Sequence, residues 1–251
     1  MRKLIAGFFA CFLLLFTTPV LAQPNNNAQI PERNGDYADP EHPGVRVRVF
    51  VHEPRKPDAV VPATCDDPVS SAVVHAAGWK LPQGRPWTYN FNLSSVPASV
   101  GSANLSNISS NGFNQWQNAV ENKVTFKEGS NTTQTRSAYD GQNIITWGRT
   151  AGNALAVTYV RYYKTTKIVV DVDTIMNVKF PWSWTASGSC GDPNTYDAQA
   201  VLTHEEGHWL GLDDEYGSAY VNNTMYGYGY KGDIKADTLT IGDINGAKAI
   251  Y

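Results

Sequence analysis

Apolar and polar residues alternate most regularly at 45–51, VRVRVFV, where every second residue is valine. A period of two puts the valines on one face of a β-strand and the arginines on the other. The same alternation at 87–93 (WTYNFNL) predicts a core strand. Apolar runs at 143–147 (NIITW), 154–160 (ALAVTYV) and 166–172 (TKIVVDV) predict three more, and VTF at 124–126 begins another. Elsewhere the period lengthens. Phe113, Trp116 and Val120 stand three and four apart behind Ser109, Ser110 and Asn111, which predicts an amphipathic helix with a polar cap, ending near Lys123. Thr240 with Asp243, ahead of Ile244, Ala247 and Ile250, predicts a short capped C-terminal helix. Strand, helix, several strands and then a histidine-bearing helix make an α+β fold with one twisted mixed sheet.

The first residues break this pattern. Arg2 and Lys3 precede an apolar run over 4–16, and Val20 and Ala22 suit a cleavage site before Gln23. A bilayer span needs about 20 apolar residues, and Thr17, Thr18 and Pro19 cut this run short. Residues 1–22 are therefore expected to be a signal peptide and the protein to be secreted, extracellular or periplasmic, with no membrane span in the mature chain. Residues 23–77, rich in Asn, Pro and charge around the 45–51 strand, form an N-terminal extension or a short pro-segment, and 78–251 the main domain. Hydrophobic content of 42% with 17% charged residues is globular. A net charge of −3 with dispersed cations argues against a nucleic-acid partner, and a monomer is expected. Loss of the signal would leave Cys65 and Cys190, and two cysteines in an exported protein most often pair. The other reading puts Cys65 in a pro-segment as a thiolate metal ligand.

The chemistry concentrates at 201–217, VLTHEEGHWLGLDDEYG. On a helix, His204 and His208 project from one face, one turn apart, and can direct two imidazoles to one point. Imidazole suits zinc, and Glu205 stands where a bound water could be held. Gly211, three residues on, can end the helix in the left-handed conformation and swing the chain back. Asp214 is then placed to supply an oxygen as third ligand. Met225 follows in VNNTMYGYGY, a segment suited to a tight turn below the site. A downstream glutamate ligand is excluded, because no Glu occurs from Gly217 to Tyr251. Asp233, Asp237 and Asp243 are the more distant alternatives, with Asp243 better explained by helix capping.

HEEGHWLGLDD resembles the metzincin pattern H-E-x-x-H-x-x-G-x-x-H with aspartate at the last position, as in snapalysin-like bacterial members, and Met225 matches the Met-turn. GFNQWQNAVENKVTFKE, DVDTIMN and IGDINGAKAIY resemble the first helix and following strand, the strand before the catalytic helix, and the terminal helix of matrixins. The resemblance, covering about 78–251, implies a metzincin-type zincin domain: a twisted mixed sheet, a catalytic helix carrying HExxH, a Met-turn and a C-terminal helix. It implies a secreted zinc endopeptidase acting on protein or peptide substrates, with one catalytic zinc on His204, His208 and Asp214 and Glu205 as general base to the zinc-activated water. Substrate would pair along an edge strand at 154–158, making Ala154, Leu155 and Ala156 pocket residues, and Tyr226 and Tyr228 would either line the pocket beyond the cleaved bond or only pack. Two departures stand out: a clear cysteine-switch segment is absent, and so are the extra histidines of a structural zinc, while a structural calcium is left open. The alternative is a catalytically silent secreted binding protein on the same fold, in which Glu205 would have no task.

Overall fold

A computed structural model describes residues 30–55, 67–185 and 189–251. The predicted signal peptide and Cys65 lie outside the described residues. Cys190 is disulfide-bonded. In chain order the elements are β1 (Gly35–Ala38), β2 (Val45–Pro54), β3 (Trp87–Phe91), α1 (Leu105–Ala119), β4 (Phe126–Glu128), β5 (Ile144–Gly148), β6 (Ala156–Tyr163) and β7 (Val169–Asn177). They continue with β8 (Trp182–Ser183), β9 (Tyr196–Asp197), α2 (Ala198–Leu210), β10 (Tyr228–Gly229) and α3 (Ile241–Lys248). The main sheet runs β1-β2-β6-β7-β5-β3-β4, with β10 joining β2. β3, β4, β5 and β7 pair in parallel, whereas β6 runs antiparallel to both β7 and β2. This is a mixed sheet with few helices, in keeping with the α+β class. No described helix is long and apolar enough to cross a membrane.

Each strand's sequence reflects its place. β5 reads IITWG and is buried along its whole length, as a parallel strand covered on both faces must be. β2 keeps its alternation for a different purpose on each face. Val47 and Val49 pack with Val157, Tyr159 and Ile175 on one side of the sheet. Phe50 turns the other way, into the core that α1 and α2 cover, where Phe113, Trp116, Leu202 and Trp209 are buried.

The helices differ from expectation in one instructive way. α1 begins at Leu105, ahead of the predicted cap, and ends at Ala119 rather than near Lys123. Ser109 is no cap: buried in mid-helix, its hydroxyl donates to Glu206 Oε1 on α2 at 2.9 Å. Glu121 and Asn122 adopt positive φ and stop the helix early, with the Asn122 N–H donating to the Gln117 carbonyl. α3 follows its prediction, with the Thr240–Asp243 capping box complete. The predicted 45–51 strand lengthens to Pro54 and joins the main sheet, pairing with β6 over eight residues, so described residues of the extension share the sheet with those of the main domain.

Candidate metal centre

α2 is positioned by its ends. The Asp197 carboxylate accepts from the Gln199 and Ala200 N–H groups and starts the helix. Gly211 ends it at φ 117°, a conformation that suits glycine, and a Cβ there would also meet the Trp79 carbonyl at 2.7 Å. The chain then turns back and carries Asp214 to the same point as His204 and His208. Asp214 Oδ1 lies 3.2 Å from His204 Nε2 and 3.4 Å from His208 Nε2. Zinc bound tetrahedrally at about 2.0–2.1 Å from each ligand separates its ligand atoms by about 3.3 Å. The spacing observed for both pairs matches that value, and is also within reach of a direct His–Asp ion pair.

The histidines are also chemically prepared. His204 Nδ1 lies 2.8 Å from the Thr224 carbonyl and His208 Nδ1 2.9 Å from the Leu212 carbonyl. A carbonyl only accepts, so each Nδ1 carries a proton and Nε2 is the nitrogen left to face the shared point, with a lone pair wherever the imidazole is neutral. Both Nε2 atoms, Asp214 Oδ1 and Glu205 Oε1 are buried without a hydrogen-bond partner. Orphaned buried polar atoms cost free energy, and three that meet at Asp214 Oδ1 mark a place where a ligand would fit. Burial would raise the Asp214 carboxyl, yet His208 and His204 outweigh it and hold it well below the carboxylate range. Burial lowers the His204 imidazole, but its contact with Asp214 and the charges of Glu205 and Asp214 hold it above the ordinary value. The donor set of two imidazoles and a carboxylate suits zinc.

Glu205 is held by one oxygen and free at the other. Burial raises its carboxyl against the opposing pull of the two histidines and of Thr158. The Thr158 hydroxyl lies 2.5 Å from Oε2, Thr174 Oγ1 lies 2.6 Å from Thr158 Oγ1, and the Trp209 indole N–H donates to Thr174 Oγ1 at 2.8 Å. The indole can only donate, and a carboxylate can only accept. With Glu205 ionised, Thr174 therefore donates to Thr158 and Thr158 to Glu205, an ordered chain that fixes the carboxylate's orientation. Met225 is fully buried beneath α2, and a Cβ on Gly207 would meet its sulfur at 2.3 Å and Trp116 at 2.8 Å. The glycine inside the HEEGH motif is thus what lets the turn approach the helix backbone.

His204, His208 and Asp214 are brought to one point, Glu205 lies on the same helix, and Met225 packs against Gly207 of that helix. Asp243 instead caps α3 and accepts from the Thr224 and Met225 N–H groups, and Asp233 pairs with Lys235 at 3.0 Å. Tyr226 and Tyr228 line a cavity of about 30 Å³ with Val201, Thr224 and His52. The expectation of an open edge at 154–158 is corrected. Ala154, Leu155 and Ala156 are buried, β6 lies between β2 and β7, and the Leu155 N–H already donates to the His52 carbonyl. The predicted Cys65–Cys190 pairing falls outside the described residues at Cys65.

Sequence reasoning passed over His52, Thr158, Thr174 and Gly207. His52 offers one ring nitrogen within 4.8 Å of the ligand atoms of His204 and Asp214; His208 falls outside that group and joins it through Asp214. Burial and the neighbouring His204 hold the His52 imidazole well below its ordinary value, which favours the neutral form. The signal was present in VRVRVFVHE, because period two puts Arg48, Phe50 and His52 on one face. No protein-family model matches this chain, and no curated protein matches it.

Proposed function

We propose that the protein is a zinc-dependent endopeptidase of matrixin-like metzincin type, with His204, His208 and Asp214 as metal ligands and Glu205 as general base. One observation carries this reading: Asp214 Oδ1 lies 3.2 and 3.4 Å from the Nε2 atoms of His204 and His208, all three buried and without a hydrogen-bond partner, and Glu205 on the same helix has an oxygen that is likewise partnerless. A purely structural cage needs no such carboxylate. Zinc held there supplies Lewis-acid polarisation of the scissile carbonyl and lowers the pKa of a water to about 7. Glu205 Oε1 takes the proton from the water as it attacks the carbonyl carbon, and returns it to the leaving nitrogen as the C–N bond breaks. Thr224 and Leu212 keep the ligand tautomers, and Thr158 keeps Glu205 aligned. The cavity lined by Tyr226 and Tyr228, at about 30 Å³, marks where the side chain beyond the cleaved bond would enter once these rings part.

The reading includes export with removal of residues 1–22, which suits a disulfide-bonded Cys190. The test is metal analysis of the secreted protein together with hydrolysis of casein, with and without a chelator. One zinc per chain and chelator-sensitive cleavage are expected. Full zinc loading without cleavage of any unfolded protein would replace this reading with the silent binding protein.

A further inference from the structure

The groove that an extended peptide would need beside β6 is already filled by the chain itself. β2 runs antiparallel to β6, from Val45 opposite Tyr163 to His52 opposite Ala156, and parallel to β10, with Tyr228 opposite Glu53 and Gly229 opposite Pro54. A peptide docking by strand addition makes this same kind of main-chain pairing. The passage is narrow: a Cβ on Gly229 would lie 2.6 Å from Leu155 and 2.9 Å from His52 Nε2, so glycine is what lets β2 through.

The side chains of β2 complete the picture. Phe50 stacks on the ring of His208, centroids 3.7 Å apart and planes within 7°, and the His52 ring lies 4.0 Å from that of His204. Successive inward residues of one strand thus cover both histidines of the cage. His52 is buried, its Nδ1 has no hydrogen-bond partner, and one of its ring nitrogens lies within 4.8 Å of the ligand atoms of His204 and Asp214. Upstream, Asn34 accepts from the Val51 N–H and donates to Tyr216 Oη, which donates to Asp214 Oδ2. Arg48 pairs with Asp213 at 3.0 Å. The segment is tied to the metal residues at several points along its length.

We propose that β2 is an intramolecular occupant of the peptide groove and that His52 is the fourth ligand of the metal, so that a peptide or an outside ligand reaches the metal only in the small fraction of molecules from which β2 has withdrawn. This rests on the endopeptidase reading for what the groove binds, but the ligand assignment is testable without turnover. Where an occupant vacates a site only about 1% of the time, an outside ligand binds about 100-fold more weakly.

The experiment uses the full chain loaded with cobalt, whose visible spectrum reports coordination, and azide as the probe. His52→Ala should keep one cobalt per chain, change the spectrum, and bind azide at least about tenfold more tightly than wild type. Coincident spectra and equal azide affinity would overturn the proposal. Should His52→Ala fail to fold, His52→Asn replaces it under the same two outcomes. Hydrogen exchange on wild type needs no variant: cobalt should slow exchange of the β2 amides, and unchanged exchange refutes the ligand. If cobalt binds as expected but neither protein cleaves casein, the ligand assignment stands and the peptidase reading falls. No cobalt in either protein overturns both.

Discussion

Two clusters of buried charge lie along the β6–β7 pair, on opposite faces of the sheet. Period two sends Thr158 and Thr174 towards α2 and Glu205, and sends Arg161, Asp171 and Asp173 the other way. In the Arg161 cluster every carboxylate oxygen has a donor. Asp173 accepts from Ser137 Oγ, Arg161 Nη1 and the Ala138 and Ile144 N–H groups, and Asp171 from Arg161 Nη1 and the Gly141 N–H. At the candidate metal centre four buried atoms, His204 Nε2, His208 Nε2, Asp214 Oδ1 and Glu205 Oε1, have no partner. Both are buried and highly polar, so burial does not separate them. Their acceptors do: every Asp171 and Asp173 oxygen has a donor, although Arg161 Nε has no partner, whereas Asp214 Oδ1 and the two Nε2 atoms beside it have none.

The contrast breaks first, and by the largest margin, at Glu205. Glu205→Gln keeps the shape and the bond from Thr158 but cannot take a proton at neutral pH. Peptide hydrolysis should fall by about 10²–10⁴-fold while zinc content and fold stay unchanged. Wild-type turnover in this variant would make the metal cluster another structural network.

Arg161 is the converse case. Arg161→Met leaves Asp171 and Asp173 buried without their cation, which should cost about 3–5 kcal/mol in urea denaturation. Zinc per folded molecule should not change. A variant as stable as wild type, or one that loses metal while folded, would show that the two clusters are not separate.

How much of this was legible in the sequence follows the same division. His204, His208, Gly211 and Asp214 lie within one turn-bounded segment, so helical spacing alone could bring them together. Met225 and the Thr240 cap were equally local. His52, Thr158 and Thr174 reach the site through β2, β6 and β7, and strand order is not written in local periodicity. The same limit produced the open-edge error at 154–158: alternation identifies a strand but not its neighbours. Ser109 misled for a related reason, because a serine ahead of an apolar helical repeat looks like a cap until α2 supplies Glu206 as its partner.

The Arg161 cluster also carries a pH signature. Burial, only partly offset by Arg161, pushes the Asp171 carboxyl up to about 6 from an ordinary 3.8. A carboxyl raised in the fold contributes stability that is full below its unfolded value and is lost as pH rises through the folded one. Stability from this group should therefore decline between about pH 4 and pH 6, by at most about 3 kcal/mol at about 1.4 kcal/mol per unit. It should be less in practice, because Asp173 shares the same cation. Urea midpoints of wild type and Asp171→Asn across that window isolate the effect. The wild type should lose stability relative to the variant as pH rises, and the opposite trend would show Asp171 to be ionised and well paired.

The smallest effect tests the ordered chain behind Glu205. Thr158→Val removes the hydroxyl that donates to Oε2 while keeping nearly the same shape, so the carboxylate loses one orienting bond and no contact with substrate. One such bond is worth about 1 kcal/mol, or about fivefold in rate. Size alone would not separate orientation from general loosening of the core, since Thr158 also bonds Thr174. The double-mutant cycle does. If Thr158 acts through Glu205, Thr158→Val should slow the wild type yet leave the residual rate of Glu205→Gln nearly unaltered, because the proton acceptor it positions is gone. Thr174→Val should follow the same rule with a smaller loss of rate and a larger loss of stability, since it also strands the buried Trp209 N–H. Strictly additive effects in both cycles would place Thr158 and Thr174 in the packing of the sheet, and Glu205 would then be aligned by the metal-bound face of α2 alone.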